Sequence, residues 1–333
     1  MRFVLEESSW AWDGKNREAF IERFEQLLDR LDIAYEREEP YAASRELLQQ
    51  QVLGTYTLND LLWNPDSPLV LPFEVRQRVV GHLNMMRYWD EETAWPAIDV
   101  NIAGRDVLSP SAALGHARVK ESQATACLPL PGIWRGPCEV IVGGVKERVH
   151  FVVDEVSHRT FFRDALEVER VDEAGLEALA PHAFPDLLFL KGIWSELGHF
   201  EGGYARVRES LHRFLAVLDE HGAWVFTDET GRLSSEEPMP SIGARKPVTN
   251  QIIQQRFIRW GFDVAPEKPN VRTDGTCRRA RERDLKGQTL YCEWHYKLEG
   301  HTNRVHIHPP IKASGGKVVV AMFRDHLPLP GDG

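Results

Sequence analysis

Residues 291–326 read YCEWHYKLEGHTNRVHIHPPIKASGGKVVVAMFRDH. Side chains alternate between the two faces of a strand, so one run can be apolar on one side and chemically active on the other. In the first run Cys292, Trp294, Tyr296 and Leu298 fall on one side. Tyr291, Glu293, His295 and Lys297 fall on the other. The second run repeats the division, with Val305 and Ile307 apolar and Arg304, His306 and His308 polar. The third, Lys317–Phe323, is apolar on both parities and ends in Arg324, Asp325 and His326. That pattern predicts a central or covered strand. Strands are expected over 289–298, 303–309 and 317–323, with turns at Gly300 and Gly315-Gly316. The result is an antiparallel meander with one face to bury and one face gathering Glu, Lys, Arg and three histidines.

Working outward, Thr276 to Lys286 reads as a short basic helix carrying Arg278, Arg279, Arg281, Arg283 and Lys286. Thr249 is placed to cap a helix running through Trp260. Residues 227–247 are polar, rich in Pro, Gly and Ser and free of aromatics, which predicts a linker or long loop. Upstream, amphipathic helices are expected over 15–32, 72–89 and about 172–180. A longer one should run from Tyr204 to about Glu220, with Gly222 as a left-handed cap and Trp224–Phe226 as a short strand. Gly143-Gly144 suits the tight turn of a hairpin built from Cys138–Val142 and Val145–Val153. The fold class expected is α+β. A larger mixed domain should occupy 1–228, a linker 229–248, and a smaller helix-plus-meander domain 249–333.

Charge divides along the same line. From Arg245 to His326 there are 16 Lys and Arg against 8 Asp and Glu, a net of +8. From Met1 to Ala244 there are 24 against 41, a net of −17. A basic module on an acidic body points to nucleic acid as a partner, or to the two parts attracting each other. The acidic part is also a candidate surface for a protein partner.

Several classes are disfavoured. None of the four cysteines forms a CxxC pair, which argues against a zinc ribbon. No run approaches the roughly 20 apolar residues that span a bilayer, and the first ten residues do not resemble a signal peptide. A cytoplasmic protein is therefore expected. No Walker loop, dinucleotide fingerprint or GxSxG elbow is present, and no cofactor is implied. Ser109-Pro110 reads as a turn into a helix.

The polar face of the meander has the chemistry to cleave RNA. Attack by the 2′-hydroxyl needs a base, an acid for the leaving oxygen, and cations around the phosphorus. Histidine serves as either acid or base near neutral pH. Arginine matches phosphate with a two-pronged fork. His306 and His295 are the candidate base and acid, Arg304 and Arg324 the phosphate clamps, and Lys297 an auxiliary cation. Glu293 could orient a histidine or act as the base. His326 ends the third strand near the same surface. Arg278, Arg279, Arg281, Arg283, Lys286 and Tyr291 would bind the nucleic acid around it. The plain alternative is a solvated sheet face. A metal alternative uses His306 and His308 with Glu293.

The segment 249–327 also resembles the RelE/ParE-type toxin fold, carried by Leu285-Lys286-Gly287, Leu290-Tyr291, Arg304-Val305-His306-Ile307 and Gly316 to His326. Members of that family are bacterial, and many cleave messenger RNA without metal from an exposed sheet face. The resemblance implies roles for Arg304, Arg324 and His326, and more weakly for Tyr291. It departs from the family in carrying some 240 residues ahead of the segment. The expectation is a metal-independent ribonuclease, a toxin or antiviral defence effector. The alternatives are a non-catalytic nucleic-acid-binding or assembly subunit and a metal-dependent hydrolase.

Overall fold

The computed structural model describes residues 2–91, 99–227, 248–300 and 302–331. The linker expected at 229–248 lies, up to residue 247, outside the described residues. The chain is α+β and forms two compact units, Met1–Arg170 and Val171–Gly333. No helix among the described residues is long and apolar enough to cross a membrane.

The first unit carries an eight-stranded sheet. Its order is β5 (Arg87–Tyr88), β2 (Tyr41–Ala43), β1 (Phe3–Leu5), β8 (Ala126–Leu128), β10 (Val145–Phe151), β9 (Gly136–Val142), β6 (Asp99–Ile102) and β7 (Arg105–Leu108). The first five of these run parallel to one another. The β9–β10 hairpin turns at Gly143-Gly144, both at positive φ, as the sequence predicts. A short ribbon, β3 (Gln51–Leu53) with β4 (Tyr56–Thr57), stands apart. Helix α1 (Arg17–Glu36) is capped by Asn16 and buries Phe20, Phe24, Leu27, Leu28 and Leu31, the stripe read from the sequence. Helices α2 (Leu58–Trp63), α3 (Phe73–Met85), α4 (Pro110–Lys120) and α5 (Glu155–Val168) complete the unit. Ser109 caps α4, with Pro110 at its first position.

The second unit carries a five-stranded sheet in the order β11 (Leu187–Phe189), β17 (Val318–Arg324), β16 (Thr302–His308), β15 (Trp294–Glu299) and β12 (Val264–Pro266). Only β11 and β17 pair in parallel. β17 lies inside the sheet, as its two-sided apolar pattern requires. Helices α6 (Glu173–Ala183), α7 (Tyr204–Val225), α8 (Asn250–Arg259), α9 (Pro269–Thr273) and α10 (Gly275–Ala280) accompany it. The apolar sheet face buries as expected. Phe214 of α7 stacks on Tyr296 at 4.2 Å between ring centroids, and Trp294 and Val305 are buried.

Five expectations need correction. The compact units divide at 170/171 and not at 228, and they are nearly equal in length. The reason is long-range pairing: β11 joins the C-terminal sheet beside β17, and α7 packs on that sheet. Gly222 does not cap α7 but lies inside it, and Trp224 and Val225 belong to its last turn, not to a strand. A Cβ at Gly222 would come within 2.8 Å of Val318 Cγ2, so glycine permits close approach of the helix to β17. The basic helix expected to Lys286 stops at Ala280; Glu282–Leu285 is strand β13, turning at Lys286-Gly287 into β14 (Gln288–Tyr291). The strand expected over 289–298 is therefore two, β14 and β15. The chain breaks between them because Cys292 N–H donates to the Arg281 carbonyl, away from the sheet.

Candidate active site

Cross-strand pairing brings the polar side chains together. His295 on β15 stands directly opposite His306 on β16, and Lys297 opposite Arg304. The two imidazole centroids are 5.4 Å apart. At this point β17 carries a bulge: Met322 pairs with His306 and Val320 with Ile307, leaving Ala321 between them. Bulges bend a strand and re-aim its side chains. Above the histidines a pocket of about 370 Å³ opens. Glu267, Arg281, His295, Lys297, Arg304, His306 and His326 line it, with Lys268.

This face is not solvated, which sets aside the plain alternative of a solvated sheet face. His306 is 0% exposed and His295 8%. A second apolar layer of Leu285, Leu290, Cys292, Met322 and Leu327 covers part of the polar side. Arg281, 2% exposed, is likewise no surface cation. Its Nε donates to Glu267 Oε1 at 2.6 Å, and its Nη1 donates to the carbonyls of Cys277 and Pro328. Glu267 Oε1 stands 3.6 Å from His295 Nδ1.

The protonation states follow from burial. Burial holds His306 well below the ordinary imidazole value of 6.5, and neighbouring His295 and Arg281 push the same way. Burial also lowers His295, against the pull of Glu267. Both rings are neutral near pH 7. His306 Nδ1 lies 3.4 Å from the Cys292 carbonyl and donates to it, which leaves the lone pair on Nε2. His306 Nε2 and His295 Nδ1 are buried with no hydrogen-bond partner among the described residues. Buried polar atoms are nearly always paired, so two orphans facing one pocket mark a place where something else binds.

Charge says what kind of ligand. Lys268, Arg281, Lys297 and Arg304 face one carboxylate, Glu267, a net of +3 with both buried histidines neutral. Asp263 bonds Lys297 Nζ at 2.8 Å from outside the pocket and reduces this to +2. Walls of low dielectric strengthen that field, and an anion is favoured.

The remaining candidates stand elsewhere. Arg324 is opposite Arg304 in the sheet but pairs with Glu196 at 2.8 Å and bonds His199. Arg283 leans on the same Glu196 at 3.5 Å. Glu293 pairs with Arg272, so it neither orients a pocket histidine nor faces His306. Tyr291 lies beneath the guanidiniums of Arg272 and Arg278. Arg278 pairs with Glu282, Arg279 is exposed, and Lys286 reaches the Ala313 carbonyl. His308 donates Nδ1 to the Pro309 carbonyl. The metal set of Glu293, His306 and His308 is therefore not assembled. Instead Glu267, His295 and His306 bring their ligand atoms within 4.8 Å of one another. Sequence reasoning missed Glu267 and misplaced Arg281. Glu267 follows an edge strand nearly thirty residues before His295, and no short-range pattern marks it. No protein-family model, curated protein or solved structure matches the chain.

Proposed function

We propose that the second unit is a metal-independent ribonuclease, a toxin-like or defence effector in keeping with the RelE/ParE resemblance. One observation carries the reading. Two neutral imidazoles with unsatisfied nitrogens share a cationic pocket with Lys297 and Arg304. The cations favour a phosphodiester, and the imidazoles can move its protons.

One imidazole takes the proton of the ribose 2′-hydroxyl. The 2′-oxygen then bonds phosphorus, the bond from phosphorus to the 5′-oxygen breaks, and that oxygen takes a proton from the second imidazole. The products are a 2′,3′-cyclic phosphate and a 5′-hydroxyl. The second imidazole must start protonated. The substrate supplies the means, because a phosphate anion beside a buried histidine raises its pKa. Arg304 and Lys297 stabilise charge on the non-bridging oxygens as the fifth bond forms. Arg281 and Glu267 are positioning residues beneath the histidines. DNA has no 2′-hydroxyl, so the same groups leave it intact.

The test is end-labelled single-stranded RNA and matched DNA, incubated in EDTA with wild type, His295→Gln and His306→Gln. Circular dichroism confirms that each variant is folded. RNA should be cut to cyclic-phosphate ends, DNA should not, and each variant should lose about 10²–10⁴-fold in rate. Equal cleavage of DNA, or full activity in both variants, would sink the mechanism. Binding of RNA without cleavage by the wild type would favour a nucleic-acid-binding subunit.

A further inference from the structure

We propose that Glu267, His295 and His306 form a binding site for Zn²⁺ or a similar transition-metal ion, whose occupancy shuts off RNA cleavage. The second half rests on the ribonuclease reading; the first does not. The ligand atoms, one from each residue, all lie within 4.8 Å of one another. His295 Nδ1 and Glu267 Oε1 are already 3.6 Å apart, close to the edge of about 3.4 Å that zinc–nitrogen and zinc–oxygen bonds set for a tetrahedron. His295 Nδ1 and His306 Nε2 are buried without hydrogen-bond partners, so each of these residues has a lone pair to offer.

The surroundings fit a ligand set. His306 donates its other nitrogen to the Cys292 carbonyl, the outer-shell bond that orients a metal-ligating imidazole. Arg281 grips Glu267 and fixes its carboxylate. Two imidazoles and one carboxylate suit Zn²⁺ or Co²⁺ and suit Mg²⁺ or Ca²⁺ poorly. Three protein ligands leave a fourth position open toward the pocket. Arg281, with Lys268, Lys297 and Arg304 around the pocket, repels a cation, so the ion must be held by its ligand bonds against that field, and binding should be weaker than at a closed structural site and readily reversible. A metal on both imidazole lone pairs leaves neither ring free to carry a proton. Zinc and acid–base catalysis therefore compete for the same two atoms.

Co²⁺ reports the site without reference to activity. Full-length chain, stripped with EDTA and dialysed, is titrated with Co²⁺ and followed by visible absorption. One ion per chain should bind, Zn²⁺ should displace it, and excess Mg²⁺ should not. His295→Gln and Glu267→Gln should each weaken binding at least about tenfold. Glu267→Gln leaves Arg281 without its carboxylate, so His295→Gln decides if the former fails to fold. Zn²⁺ at a concentration that saturates the site in the cobalt-displacement titration should abolish RNA cleavage, and EDTA should restore it. No saturable cobalt signal, an unchanged signal in folded His295→Gln, or cleavage that rises with zinc would overturn the proposal. Cobalt binding with no RNA cleavage in any state would keep the metal site and end the ribonuclease reading. Cleavage without cobalt binding would do the reverse.

Discussion

His306 binds a proton far more readily in the unfolded chain than in the folded one. Unfolded, it titrates near 6.5; folded, burial holds it well below that value. Between the two values the unfolded chain carries the extra proton. The contribution to stability is therefore whole above pH 6.5 and is lost as pH falls toward the folded value. One such histidine gives a slope of up to about 1.4 kcal/mol per pH unit. His295 and His308 are lowered by burial too and add the same sign. His306→Gln should flatten the acid-side slope by about one proton's worth. Hydrogen exchange at the amides of β15–β17, followed from pH ~7 down to pH ~5, reads it directly. An unchanged slope would mean that His306 is not buried and neutral. Kinetics should agree. On the proposed mechanism both imidazoles titrate below 6.5 in the free chain, so kcat/KM for RNA cleavage should peak on the acid side of that pH.

At the scale of elements, what was legible was local. The alternation in β15 and β16 put His295 and His306 on one face, because period-two patterning is local; their direct pairing needed the register. Asp172 and Thr249 cap helices, and Ser109-Pro110 turns into one, as the sequence predicts. What escaped depends on partners distant in sequence. β11 pairs with β17 across some 130 residues, and nothing in Leu187–Phe189 names that partner. Arg281 looked like one of five surface cations until Glu267 and two carbonyls drew it inside. Gly222 is the clearest case. As a cap it would tolerate only modest change; as a contact with β17 it tolerates less. Alanine improves helix propensity by about 1 kcal/mol. Its methyl, however, would stand 2.8 Å from Val318 Cγ2 and 3.2 Å from Leu218 Cδ1 in a packed interior. Overpacking of that kind costs about 1–3 kcal/mol, so the contact should win. Gly222→Ala should destabilise the second unit by up to about 2 kcal/mol, measured by urea denaturation. In combination with Val318→Ala the losses should be less than additive. Strict additivity would show that the two residues do not meet.

At the scale of the molecule, Glu7 in the first unit should answer pH with the opposite sign to His306 in the second. The second unit holds buried bases that resist protonation. The first holds a buried acid that resists losing its proton. Glu7 is 3% exposed and accepts hydrogen bonds from Ser109 and Ser111 at the start of α4. Burial, and next to it Glu6, raises its pKa from 4.5 to about 7, although the bonds from Ser111 pull the other way. The folded chain thus keeps a proton that the unfolded chain has already released. The stability Glu7 contributes is whole below pH 4.5 and is lost as pH rises through about 7. Glu7→Gln carries a permanently neutral side chain of the same shape. It should leave exchange protection at β1 and β8 nearly unchanged in acid and raise it above neutral pH. The gain should be on the order of 3 kcal/mol, the worth of a shift of this size. The acid-side slope at β15–β17 should not move. Should the variant instead lose protection at every pH, Glu7 is ionised in the folded chain and its charge steadies the N-terminus of α4.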